Sequence, residues 1–153
     1  MSKGSRSLAA SFALAVGLAL STATDAAAAD GWQAATQDSG YNNGYAKYCS
    51  YSGDQVLFDT GQGCFQPYGD WVWIRDLDAN GIPVGVSWSY YPPNGGASRH
   101  GLIYNSAGKD SGWGSVNKNF VEGGTFSWQT CEVNVSAGTV YGATCSESRS
   151  RPS

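Results

Sequence analysis

GDWVWIRDLDANGIPVGVSWSYY, residues 69–91, carries the clearest structural pattern in the chain. Trp71, Val72, Trp73 and Ile74 are aromatic or β-branched, as strands prefer, and Ile82, Val84, Val86, Trp88 and Tyr90 alternate with smaller residues. Between them Asp78-Ala79-Asn80-Gly81 is turn chemistry, so the stretch predicts a long β-hairpin with one buried and one wetter face. A two-residue turn at Asn80-Gly81 would set Trp73 opposite Trp88. A type I turn closed by a left-handed Gly81 would shift the register by one, placing Val72 opposite Trp88 and Ile74 opposite Val86. The second is preferred, because Asp78 suits the first position of a type I turn and Gly81 the last. The core face is then Val72, Ile74, Val84, Val86 and Trp88, with Trp71, Trp73 and Arg75 on the other face beside Gly85, Ser87 and Ser89.

Outward from this stretch, the N-terminus reads as an export signal. Lys3 and Arg6 precede an apolar run from Leu8 to Leu20, and small residues lead to Ala26-Ala27-Ala28-Ala29 before Asp30. The run is shorter than the roughly 20 residues of a membrane-spanning helix, so residues 1–29 are expected to be a signal peptide and the exported part to carry no membrane anchor. Taking Lys3, Arg6 and Asp25 from nine basic and twelve acidic residues leaves seven against eleven. With no concentrated positive surface, nucleic acid is not an expected partner.

Cys49, Cys64, Cys131 and Cys145 all lie in the exported part, where oxidation is the default, and are expected to form two disulfides. Local pairing, Cys49 with Cys64 and Cys131 with Cys145, fits the strands best, the second pair flanking a hairpin that turns at Ser136-Ala137-Gly138. Zinc is disfavoured, since the spacings contain no closely placed ligand pair. Residues 30–44 read as an irregular arm, 147–153 as a disordered tail, and 45–146 as one β-sandwich domain. Its strands are expected at Tyr45–Tyr51, Gln55–Asp59, Trp71–Asp78, Ile82–Tyr91, Arg99–Tyr104, Val116–Phe120, Thr125–Val135 and Thr139–Cys145, with Thr60-Gly61-Gln62-Gly63 among the turns. The fold class is therefore all-β, an antiparallel sandwich of about eight strands.

The Gly69-Asp70 strand start, the Asp76-x-x-x-Asn80-Gly81 turn, the return strand ending in tryptophan, the run VNKNFVEG over residues 116–123 and the late Cys131…Cys145 pair together resemble small secreted two-disulfide β-proteins of actinomycetes. The resemblance implies fold and export rather than an activity. It also implies that Ile103 and Val116 form an apolar pair where such relatives carry a further bridge.

Several constellations could carry chemistry. Asp76-x-Asp78-x-Asn80-Gly81 matches the first half of a calcium loop, but Ser87 stands where the closing bidentate glutamate would be, and a hairpin turn with capping carboxylates explains the same residues. His100, the single histidine, reads as a surface strand residue; no nucleophile motif accompanies it. Asp70, Asp76, Glu122 and Glu132 are the candidate carboxylates for glycoside cleavage. Aromatic residues are abundant, with six Trp, nine Tyr and five Phe. Phe58, Trp88, Phe120, Phe126 and Trp128 are expected in the core; Trp71, Trp73, Arg75, Tyr91 and Trp113 are the candidate ligand-binding set. The expected function is a secreted, non-catalytic binding module whose partner is an extracellular glycan or a secreted protein. A peptidase inhibitor presenting Pro92-Pro93-Asn94-Gly95, a coat protein and a glycoside-cleaving enzyme are the alternatives.

Overall fold

The computed structural model describes residues 29–53 and 58–153. The expected signal peptide, apart from Ala29, and residues 55–57 of the second expected strand lie outside them. The strands are β1 (Ala29–Ala34), β2 (Thr36–Gln37), β3 (Tyr48–Gly53), β4 (Asp59–Gln66), β5 (Trp71–Asp76), β6 (Val84–Tyr91), β7 (Arg99–Asn105), β8 (Gly114–Asn117), β9 (Thr125–Asn134), β10 (Thr139–Val140) and β11 (Arg149–Pro152). They form two sheets. The first has the order β1-β7-β6-β9-β10, with β11 also paired to β9; the second has the order β2-β8-β5-β4-β3. Among the described residues every pairing is antiparallel except that of β1 with β7. The sheets pack face to face, β3 and β4 against β9, β4 and β5 against β6, and β5 against β7. The all-β sandwich with two disulfides is thus the fold.

The deciding stretch forms two strands but not a hairpin. β5 lies in the second sheet between β4 and β8, and β6 lies in the first between β7 and β9. With both edges of β5 already paired, the chain crosses the sandwich through residues 77–83 instead of returning alongside. The turn chemistry is still used: Asp78 N–H donates to Asp76 Oδ1 at 2.9 Å, Ile82 N–H donates to Asn80 Oδ1 at 2.7 Å, and Gly81 has φ of 74°. Neither expected register exists, since Val72 pairs with Phe65 and Val116, and Trp88 with Gly101 and Trp128. The expected core face is nevertheless buried. Val72 and Ile74 from one sheet join Val84, Val86 and Trp88 from the other around Phe65, Phe120, Phe126 and Trp128. Each fully buried side chain of this kind stabilises the fold by roughly 1.5–3 kcal/mol. Ile103 and Val116 are both in this core.

Other expectations need correction. The predicted turn Thr60–Gly63 lies inside β4, whose glycines face inward: a Cβ on Gly61 would collide with Val84, and one on Gly63 with Val86 and Thr130. Phe58, expected in the core, is 78% exposed, because it precedes β4 and lies outside the layer between the sheets. The arm 30–44 is not irregular. It supplies β1 and β2, anchored where Asp30 Oδ2 meets Arg99 at 2.7 Å and Lys118 at 2.6 Å. The tail is not disordered either, since β11 pairs with residues 125–128 of β9. The cysteines pair as expected, Cys49–Cys64 linking β3 to β4 and Cys131–Cys145 tying β9 to the segment after β10. Among the described residues no helix is long and apolar enough to cross a membrane.

Candidate functional site

The candidate tryptophans do lie on an outer face, that of the second sheet, but the protein covers much of it with its own chain. Tyr41, from the 3₁₀ turn Gly40–Asn42, sets its ring edge against Trp73 at 5.6 Å and stacks on Trp113 at 3.7 Å. Its hydroxyl is 3.7 Å from both sulfurs of Cys49–Cys64. Arg75 lies 4.6 Å over Trp113, and its Nε donates to Gln62 Oε1 at 2.9 Å. Trp73 is consequently 2% exposed, while Trp71, Arg75 and Trp113 are half-buried. Trp71 borders a hollow of about 370 Å³ with Gln33, Asp38 and Asn117. Gly85, Ser87 and Ser89 are on the other sheet, so the expected platform of Trp71, Trp73 and Arg75 beside small residues is not formed.

The turn carboxylates are committed internally. Asn80 Nδ2 donates to Glu132 Oε1 at 2.9 Å, and Asp76 and Glu132 are both buried. Burial, reinforced by the charges of Asp78 and Glu132, holds the Asp76 carboxyl above its ordinary range despite the Asp78 N–H. No group of three His, Cys, Asp or Glu side chains among the described residues is arranged to hold a metal ion. Asp70 is buried with Oδ2 accepting Phe120 N–H at 2.7 Å, and burial raises its pKa.

The outer face of the first sheet carries an open cleft. Because Val84, Val86, Trp88 and Tyr90 point into the core, Ser87, Ser89 and Tyr91 of β6 point outward. Ser89 lies between His100 on β7 and Ser127 on β9, and Ser127 Oγ hydrogen-bonds Ser150 Oγ on β11 at 2.7 Å. One pleat further on, Ser87 lies between Leu102 and Gln129, and Leu102 is beside Trp32 of β1. Trp32, Ser87, Ser89, His100 and Val140 line a cleft of about 470 Å³. A shallower hollow of about 100 Å³ shares both serines and continues to Ser127, Gln129 and Ser148. The Trp32 indole is 37% exposed and packs at 6.3 Å from Tyr104, which steadies it. Tyr91, 55% exposed, is at the end of β6 on this same face.

The electrostatics of the cleft are simple. No Asp, Glu, Lys or Arg among the described residues lines either hollow; His100 is the titratable group. Asp30, though on β1, turns away into its ion pairs. Burial works to raise its pKa, but Arg99 and Lys118 outweigh this and hold it below the usual carboxylate range. The four candidate glycosidase carboxylates are all absent from the cleft lining. The arrangement offers a flat ring to stack on and hydroxyls that both donate and accept. Sequence reasoning placed Ser87 and Ser89 beside Trp71 and Trp73, which lie on the other sheet, and assigned Trp32 no site role. Comparisons with family models, curated proteins and solved structures return no match for the chain.

Proposed function

We propose that this protein is an exported, non-catalytic module that binds polysaccharide or cell-surface glycan through the outer face of the first sheet. The observation that carries the reading is the cleft of about 470 Å³ in which the part-exposed Trp32 stands beside the small, hydroxyl-bearing floor of Ser87 and Ser89. Sugar rings present apolar faces edged by hydroxyls. An indole takes the face, while serine hydroxyls and the His100 imidazole fix orientation with few polar groups. Two disulfides are compatible with an extracellular setting, and the Lys3-to-Ala29 pattern supports export.

The test is retention of the purified protein on insoluble cellulose, chitin and peptidoglycan, comparing wild type with Trp32→Ala and with Ser89→Phe, which fills the cleft. Retention of wild type on at least one polymer, lost in both folded variants, is the expected result. Wild type passing through all three polymers, or variants retained as well as wild type, would remove the proposal.

A further inference from the structure

We infer that the ligand of this cleft is an uncharged glycan chain lying across the strands, from Trp32 on β1 toward Gln129 and Ser148; this rests on the glycan reading above. The side chains on this face form two rows perpendicular to the strands. One runs His100, Ser89, Ser127, Ser150; the other runs Trp32, Leu102, Ser87, Gln129. Adjacent strands are about 4.8 Å apart, so the path from β1 through β7, β6 and β9 to β11 extends roughly 19 Å, whereas the two rows are separated by only about 6.8 Å. That is the footprint of one chain of rings laid across the sheet.

Along the strands the face is closed on one side. Beyond Ser87, Gly85 is covered by Val133 and Leu102, both buried, and a Cβ there would press on each of them. Beyond Ser89, the exposed Tyr91 follows on the same face. Across the strands, the larger cleft and the shallower hollow join through Ser87 and Ser89. At the far end Gln129 Nε2 donates to Ser146 O at 3.1 Å, which fixes the amide and directs its oxygen as an acceptor.

Charge selects the ligand class. A uronate or a glucosamine placed here would lose water without gaining a counter-ion from the lining, because Asp30, Arg99 and Lys118 satisfy one another on the inner side. Neutral sugar hydroxyls carry no charge to desolvate, and serine, histidine and glutamine side chains offer hydrogen-bond partners in place of water.

Binding near neutral pH to immobilised oligosaccharides, from disaccharides to hexasaccharides, tests this. The panel is neutral cello-, chito-, manno- and xylo-oligosaccharides, anionic oligogalacturonides and cationic chitosan oligomers. Expected are neutral hits whose affinity rises with length, charged chains at least about tenfold weaker, and a Gln129→Ala variant that weakens the hexasaccharide about fivefold but leaves the disaccharide unchanged. A preference for charged chains, affinity independent of length, or a Gln129→Ala variant that binds the hexasaccharide like wild type would overturn the inference while leaving the glycan reading in place. No binding to any oligosaccharide would instead end the glycan reading itself.

Discussion

Gly63 and Asp30 hold this sandwich together in opposite ways, one by what it lacks and the other by what it carries. Gly63 lets β4 approach β6 and β9 closely, and its missing Cβ is the space taken by Val86 and Thr130. Gly63→Ala is expected to destabilise by about 1–3 kcal/mol through overpacking. Gly142→Ala, where nothing lies within 4 Å, should stay within about 0.5 kcal/mol, and urea denaturation of the two variants checks the contrast. Asp30 joins β1 to Arg99 and to Lys118, whose side chain is only 5% exposed. Its folded pKa lies below the unfolded one, so its contribution is fully present above the unfolded pKa and lost as pH falls through the folded value. Asp30→Asn leaves the Lys118 charge buried without its partner. It is expected to cost about 3 kcal/mol near neutral pH, with the gap to wild type closing at the acid end. A gap that stays constant from neutral pH into acid would assign Asp30 a packing role instead.

Among the elements, β5 and β6 show what alternation can and cannot say. Period-two hydrophobicity marks a strand with one buried face, and it marked both strands and their buried residues. It is silent on whether the facing residues meet along a hydrogen-bonded ladder or across the space between two sheets, and Val72 and Val86 belong to the second case. The same silence moved Trp71, Trp73 and Arg75 away from Ser87 and Ser89. β11 was illegible for a different reason: Arg149, Ser150, Arg151 and Pro152 are all exposed, and what holds them is backbone pairing to β9, the Ser150–Ser127 bond and Arg151 stacked 4.3 Å over Tyr48. Trp32 sits in a short polar strand whose partner is 70 residues away in sequence, Leu102, so no local pattern announces it. The cysteines were legible because oxidation and local spacing are properties of the chain itself. Cys131→Ser with Cys145→Ser is expected to lose about 3 kcal/mol, the entropy of a loop of separation 14. Hydrogen exchange should quicken first at Tyr141 and Ser146, whose N–H groups donate to Glu132 O and Thr130 O. Unchanged exchange there would mean that the ladder, not the bridge, holds this segment.

At the scale of the whole molecule, the two sheets treat their outer faces differently. The second sheet packs part of its own aromatic surface, with Tyr41 against Trp73 and Trp113 and across the Cys49–Cys64 sulfurs, so the Trp73 indole adds packing and offers almost no area to a ligand. The first sheet keeps its outer face small, hydroxyl-rich and partly uncovered, with Trp32 at its border. Tryptophan substitutions on the two faces should therefore dissociate. Trp73→Ala opens a large void under Tyr41 and is expected to destabilise by about 3–5 kcal/mol while leaving glycan retention intact at temperatures where the variant is folded. Trp32→Ala removes a ring already 37% exposed, so it should cost much less stability yet abolish retention. Thermal melts and retention measured on the same preparations would read both effects together. If Trp73→Ala abolished retention while fully folded and Trp32→Ala did not, recognition would belong to the second sheet, with Tyr41 moving aside to admit the ligand.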